Sequence, residues 1–211
     1  MIRTLAVIAS ALSLAGVAGA QQITSFTNLD FDLGVVNVAS GFDNPGADIP
    51  GWRNYTPITD SGVEGPGAWW NPYQEYAAWM KNGEGAYNLS DYTIQSGDLF
   101  SVSFFAQWWQ WSGSEGKWTV SLFYDDPANV IGSYTTPNLA DHGNWTSYSS
   151  ANIAATPESV GGKLGILFFN SGTGIAQVDE ITVNLVPEPS SFSLLGLAAA
   201  GFFLRSRRSV K

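Results

Sequence analysis

The amino-acid sequence predicts an all-β protein, an antiparallel β-sandwich of the jelly-roll kind, with an N-terminal signal helix before it and a short C-terminal hydrophobic helix after it. Three observations predict the sandwich. Apolar and polar residues alternate over several stretches, no long segment carries the 3.6-residue period of an amphipathic helix, and the connections are rich in Gly, Pro, Asn and Asp.

The clearest strand is LFSVSFFAQWWQW, residues 99–111. Phe100, Val102, Phe104, Ala106 and Trp108 share one face, which is expected to be core, while Ser101, Ser103, Phe105, Gln107, Trp109 and Trp111 share the other. A turn by composition, SGSEG, separates it from KWTVSLFY, where Trp118, Val120, Leu122 and Tyr124 alternate with Lys117, Thr119, Ser121 and Phe123. The two read as an antiparallel hairpin. Residues 145–148 read as a short strand, 164–169 as a buried one and 175–185 as the last. The run 45–72 and TPNLADHGNW read as loops, and Asp125-Asp126 before Pro127 and Gly161-Gly162 as turns. No repeat recurs at a fixed period, so one domain suffices.

At the N-terminus, Arg3 precedes an apolar stretch over 5–17, and Ala18-Gly19-Ala20 supplies the small residues that a signal peptidase reads before Gln21. The protein is expected to be exported. It has no cysteine, so the sandwich must hold by burial, without disulfides or thiol chemistry. Five of the nine basic residues lie in the two ends, whereas all eighteen Asp and Glu fall between Asp30 and Glu188, leaving the middle at −14. Such a surface repels phosphate backbones, which argues against nucleic acid as a partner.

The C-terminal segment has three parts in order. Pro187, Glu188 and Pro189 impose an extended backbone; residues 191–204 carry no charge; Arg205, Arg207, Arg208 and Lys211 close the chain. As a helix the uncharged part spans about 21 Å, short of a hydrocarbon core of about 30 Å. Its apolar residues circle the whole helix, so it is no amphipathic lid. The basic cluster would stay in the cytoplasm, with the segment transiently in the inner membrane. This triple resembles the PEP-CTERM sorting signal of Gram-negative, exopolysaccharide-producing bacteria. The resemblance implies processing by an exosortase near Pro187, Glu188 and Pro189 and delivery to the cell envelope or extracellular matrix. The expected plan is a signal peptide over 1–20, a β-sandwich over 21–185 and the sorting signal over 186–211.

NLDFD (28–32), IPGW (49–52), the Trp-rich strands, NWTSY (144–148) and VDEITV (178–183) in that order resemble a carbohydrate-binding-module type of galactose-binding-like jelly roll. The resemblance implies a polysaccharide ligand and a structural calcium near the chain ends, at positions matching Asp32 and Asp179.

All nine tryptophans lie between Trp52 and Trp145. An indole can stack on the C–H face of a sugar ring while neighbouring polar groups hydrogen-bond its hydroxyls. Trp108 and Trp118 point with the core. Trp109 and Trp111 stand on the other side and form either a ligand platform or a second small core under the loop carrying Trp69, Trp70, Tyr73, Tyr76 and Trp79. Asp179 alternates with Ile175, Ile181, Val183 and Leu185, which puts a carboxylate on an apolar face. There it needs a cation or a hydrogen bond, from a backbone amide or from Arg53.

Catalysis finds little support in the sequence. The single histidine, His142, lies in a loop, and there is no HExxH or G-x-S-x-G pattern. Paired carboxylates of a glycosidase are defined by spacing in the fold, which alternation does not reveal. The expected function is therefore that of a non-enzymatic envelope or matrix protein that binds carbohydrate or exopolysaccharide. The alternatives are a purely structural component and a glycosidase-like enzyme.

Overall fold

The computed structural model describes residues 19–33, 42, 49–58, 61–65, 76–109, 115–141 and 143–187. The two expected terminal helices, Trp111 and His142 lie outside the described residues. Twelve strands follow one another in this part of the chain: β1 (Gln21–Gln22), β2 (Trp52–Asn54), β3 (Gly62–Glu64), β4 (Ala77–Met80), β5 (Gly85–Thr93), β6 (Leu99–Trp109), β7 (Trp118–Tyr124), β8 (Asp126–Thr135), β9 (Thr146–Ser149), β10 (Ile153–Ala154), β11 (Lys163–Asn170) and β12 (Ile175–Val186). The one helical element among them is a 3-10 turn, Pro157–Ser159.

The strands form two antiparallel sheets, the expected sandwich. The first runs β10-β6-β12-β4-β3, with β9 added to β6 and β1 to β12; the second runs β2-β5-β11-β7-β8. Gln21–Val186 is one compact unit. The alternation read in β6 holds, since Phe100, Val102, Phe104, Ala106 and Trp108 are all buried. Trp118, Val120 and Leu122 face them from β7. Phe168 of β11 is the hub of the core: its ring lies 5.1 Å from Phe104, 5.5 Å from Trp118 and 6.4 Å from Trp52. Each fully buried side chain of this size contributes roughly 1.5–3 kcal/mol over its exposed state.

The hairpin expected between β6 and β7 does not form. β6 is bordered by β12 on one edge and by β9 and β10 on the other, whereas β7 is bordered by β11 and β8. The two strands therefore face each other across the core. Both carry one continuous apolar face, and such a pair can bury it by facing as well as by pairing. The loop reading of 45–72 also missed two short strands, β2 and β3, each of three residues.

The N-terminal segment plugs one end of the core. Phe31 is fully buried and stacks on Trp52 at 5.0 Å. It adopts φ 56°, an uncommon conformation for an aromatic residue. Asn28 organises this turn: its side chain donates to the carbonyls of Leu33 and Pro50 and accepts from the Leu33 N–H, while its own carbonyl accepts from the Trp52 indole at 2.8 Å.

Candidate functional site: the outer face of the first sheet

The face of the first sheet turned away from the core carries an unusual set of residues. Strand register places Gln107, Gln177 and Trp79 in one row, and Phe105 beside Asp179 in the next. Trp109 stands opposite Ile175 in the row beyond. Glu64 follows two residues after Gly62, which stands opposite Trp79, so it shares this face.

Gln107 and Gln177 are 0% and 1% exposed although neither faces the core. Their amides form a chain across the sheet. The Gly143 N–H donates to Gln107 Oε1 at 2.7 Å, Gln107 Nε2 donates to Gln177 Oε1 at 2.5 Å, and Gln177 Nε2 donates to Glu64 Oε1. Such a chain satisfies buried amides that would otherwise be costly. Burial pushes the Glu64 carboxyl up to about 8, against the opposing pull of the Gln177 hydrogen bond. Gly143 belongs to the stretch after β8 that folds back along the end of β6, where Trp108 Nε1 donates to Asp141 Oδ1 at 2.8 Å.

The expected position of Asp179 changes. Val178 faces the core, and so do Ile181 and Val183, an odd spacing that a regular strand does not allow. A β-bulge between Asp179 and Thr182 resets the phase. Glu180 takes φ 52° there, and its N–H donates to Asp179 Oδ1 at 2.7 Å, while the Ile181 N–H turns away to the Leu29 carbonyl at 3.2 Å. Asp179 thus stands on the outer face with Gln177, not on the core face with Ile181. It is 4% exposed and, with Phe105, Trp145 and Glu180, lines a cleft of about 140 Å³.

The Ile181–Leu29 bond brings the first segment to the last strand, as the expected calcium tie requires. Asp32, however, is exposed, and its N–H bonds Asp30 Oδ1 at 3.4 Å. Among the described residues no three His, Cys, Asp or Glu side chains gather as metal ligands. Calcium takes six to eight oxygens, and this donor set does not fit it.

Of the two expected platform residues, Trp109 is half-buried on the outer face. Gln107, Gln177 and Glu64 carry no mark in the sequence that sets them apart from surface polar residues. In the sequence, Gln107 looks like one more polar residue on an exposed side; only a register that stacks it on Gln177 under a covering loop shows it to be interior.

Comparison with known proteins adds two findings. Residues 185–208 match the PEP-CTERM protein-sorting motif, so the chain carries the C-terminal sorting signal of an exported protein. No curated protein matches the sequence. Among solved structures, a Stig cyclase, Fisc, from Fischerella sp. TAU in complex with an indole compound is 19% identical, with a TM-score of 0.61 over 80% of this chain and 99% of that one. An arabinose-bound α-L-arabinofuranosidase is 15% identical, with a TM-score of 0.54 over 81% of this chain and 27% of that one. A xylan-binding domain from Paenibacillus barcinonensis is 19% identical, with a TM-score of 0.45 over 65% and 93%. The first two likenesses show the sandwich fold.

Proposed function

We propose that an exosortase sorts this exported protein through Pro187, Glu188 and Pro189 to the cell envelope or extracellular matrix, where the outer face of its first sheet binds polysaccharide. One observation carries the binding part: Phe105, Trp79 and Trp109 stand on one sheet face, and beside them Phe105 and Trp145 line an open cleft with the carboxyl groups of Asp179 and Glu180. Flat apolar surfaces with a few fixed polar groups suit sugar rings. Trp109 acts as a stacking platform at one end of that face, and Trp111, two residues on, is assigned the same role.

Mass spectrometry of the mature protein tests the sorting. It should lack residues after the Pro-Glu-Pro motif, and a persisting tail overturns processing. A glycan array probed with the exported protein tests the binding. Replacing Trp109 with Ala should weaken a bound glycan about fivefold, near 1 kcal/mol, with the melting curve almost unmoved. Equal loss of folding from Trp109→Ala and Trp108→Ala would remove the platform.

A second reading, glycoside hydrolysis, is favoured by Glu64, a carboxyl that stays protonated into the neutral range as a general acid must. Binding without turnover remains the preferred reading. Reducing ends released from a bound polysaccharide, and lost in Glu64→Gln, would replace it.

A further inference from the structure

We propose that the cleft at the β12 bulge binds a single amino-sugar residue, the unit that a partly de-N-acetylated polysaccharide presents. The proposal rests on the saccharide reading above and gives it a site and a ligand class. Size comes first. At about 140 Å³ the cleft is on the scale of a single ring, with its open side free for the rest of a chain.

Its lining sets the chemistry. Phe105 is 38% exposed, an aromatic face open on the outer side of a strand whose inner side is continuously buried. It stands directly opposite Asp179 on β12 and Ser147 on β9, and Trp145 supplies a second aromatic wall just before β9. Between these two rings the C–H face of a pyranose finds an apolar surface. Asp179 and Glu180 supply two carboxyl groups, one nearly buried and one exposed, and none of the four cations of the middle region lines the cleft. An uronic acid or sulfated sugar would be repelled. A ring bearing an ammonium gains both the carboxylates and the aromatic faces, through ion pairing and cation–π attraction.

The bulge makes the arrangement. Without the extra residue, Glu180 would follow the regular alternation onto the core face; with Glu180 at φ 52°, two successive carboxylates meet the same cleft.

The test titrates the exported protein, as recovered from cells, with three tetrasaccharides at a pH where the amine is protonated: chitosan tetraose, its fully N-acetylated counterpart and tetragalacturonate. Chitosan tetraose should bind at least about tenfold tighter than the acetylated form, tetragalacturonate should not bind, and added salt should weaken the chitosan interaction. Asp179→Asn should lower chitosan affinity about tenfold. Because that variant alters a nearly buried group, Glu180→Gln and Phe105→Ala serve beside it, each expected to cost a few-fold while the melting temperature holds. Equal affinity for the amine and the acetamide, or no change in Glu180→Gln and Phe105→Ala, overturns the amino-sugar assignment and leaves saccharide binding standing. Choline that competes at the same concentration as chitosan also overturns it, in favour of a general ammonium site. Failure of all three sugars, with a blank array of neutral glycans, removes the underlying reading as well.

Discussion

The two sheets solve the same problem on their outer faces in opposite ways. On the second sheet, Leu89, Gly165, Phe123 and Val130 lie in one row across four strands. Phe123 covers Gly165 so closely that a Cβ there would come within 2.1 Å of its ring, and Tyr87 meets the ring edge-on at 5.8 Å. Leu89 and Val130 stay 42% and 48% exposed. Its hydroxyls pair with direct neighbours, Thr119 with Thr135 at 3.1 Å and Ser121 with Ser133 at 2.8 Å. On the first sheet the polar groups are the buried ones, joined from Gly143 through Gln107 and Gln177 to Glu64 across strands that are not all adjacent. Apolar exposure on the second face needs only local packing to explain it. A buried acid held by a long-range amide chain has no packing advantage over apolar residues of the same shape, so packing alone does not account for the first face.

The largest effect separates core from face within β6. Trp108→Ala should cost roughly 3–5 kcal/mol as a large-to-small change in the core, read as a drop in denaturant midpoint far beyond that of Trp109→Ala. Next comes the amide chain. Gln177→Leu removes the link between Gln107 and Glu64 and should cost about 1–3 kcal/mol through the polar atoms left without partners. The Glu64 carboxyl adds a pH signature: its folded value lies above its ordinary one, so its contribution to stability is complete below about 4.5 and is lost as pH rises through about 8. The melting temperature should fall over that window, and Glu64→Gln should flatten the fall. On the second face Gly165→Ala should displace the Phe123 ring and cost about 1–3 kcal/mol by overpacking, with glycan binding untouched. Linked loss of binding there would break the contrast between faces. The smallest expected effect is that of calcium. Melting curves with calcium and with chelator should coincide, and a rise with calcium would restore the tie between Asp32 and Asp179.

Much of this was legible in the residues. Alternation in 99–109 and 118–124 announced two strands and their buried faces, because period two is a local property of the chain. Partner choice is not local. Nothing in SGSEG distinguishes a hairpin from a crossing between sheets, since β6 and β7 have equally apolar inner faces. The bulge at Glu180 was hidden for a related reason: VDEITV alternates acceptably in either phase, and only the pairing of Asp179 with Phe105 and of Thr182 with Ser103 reveals the extra residue. The site followed the same rule. Trp109 was visible as an aromatic off the core face, whereas Glu64, in a three-residue strand inside a loop-like run, draws its character from burial beneath residues distant in sequence, its partner Gln177 lying 113 residues away.

The pairing of the first and last strands also bears on mechanical load. Gln21 stands opposite Leu185 and Gln22 opposite Asn184, so the chain enters and leaves the sandwich at the same end of one sheet. β12 is an interior strand, flanked by β6 along most of its length and by β4 near its start. A covalent attachment at Pro187, Glu188 and Pro189 would pull on Val186 along the strand axis. The ladder with β6, registered from Ile175 to Val186, would then bear the force in shear, its bonds strained together, with the two pairs to β1 sharing the load at that end. A domain loaded at this end would resist drag through its longest ladder.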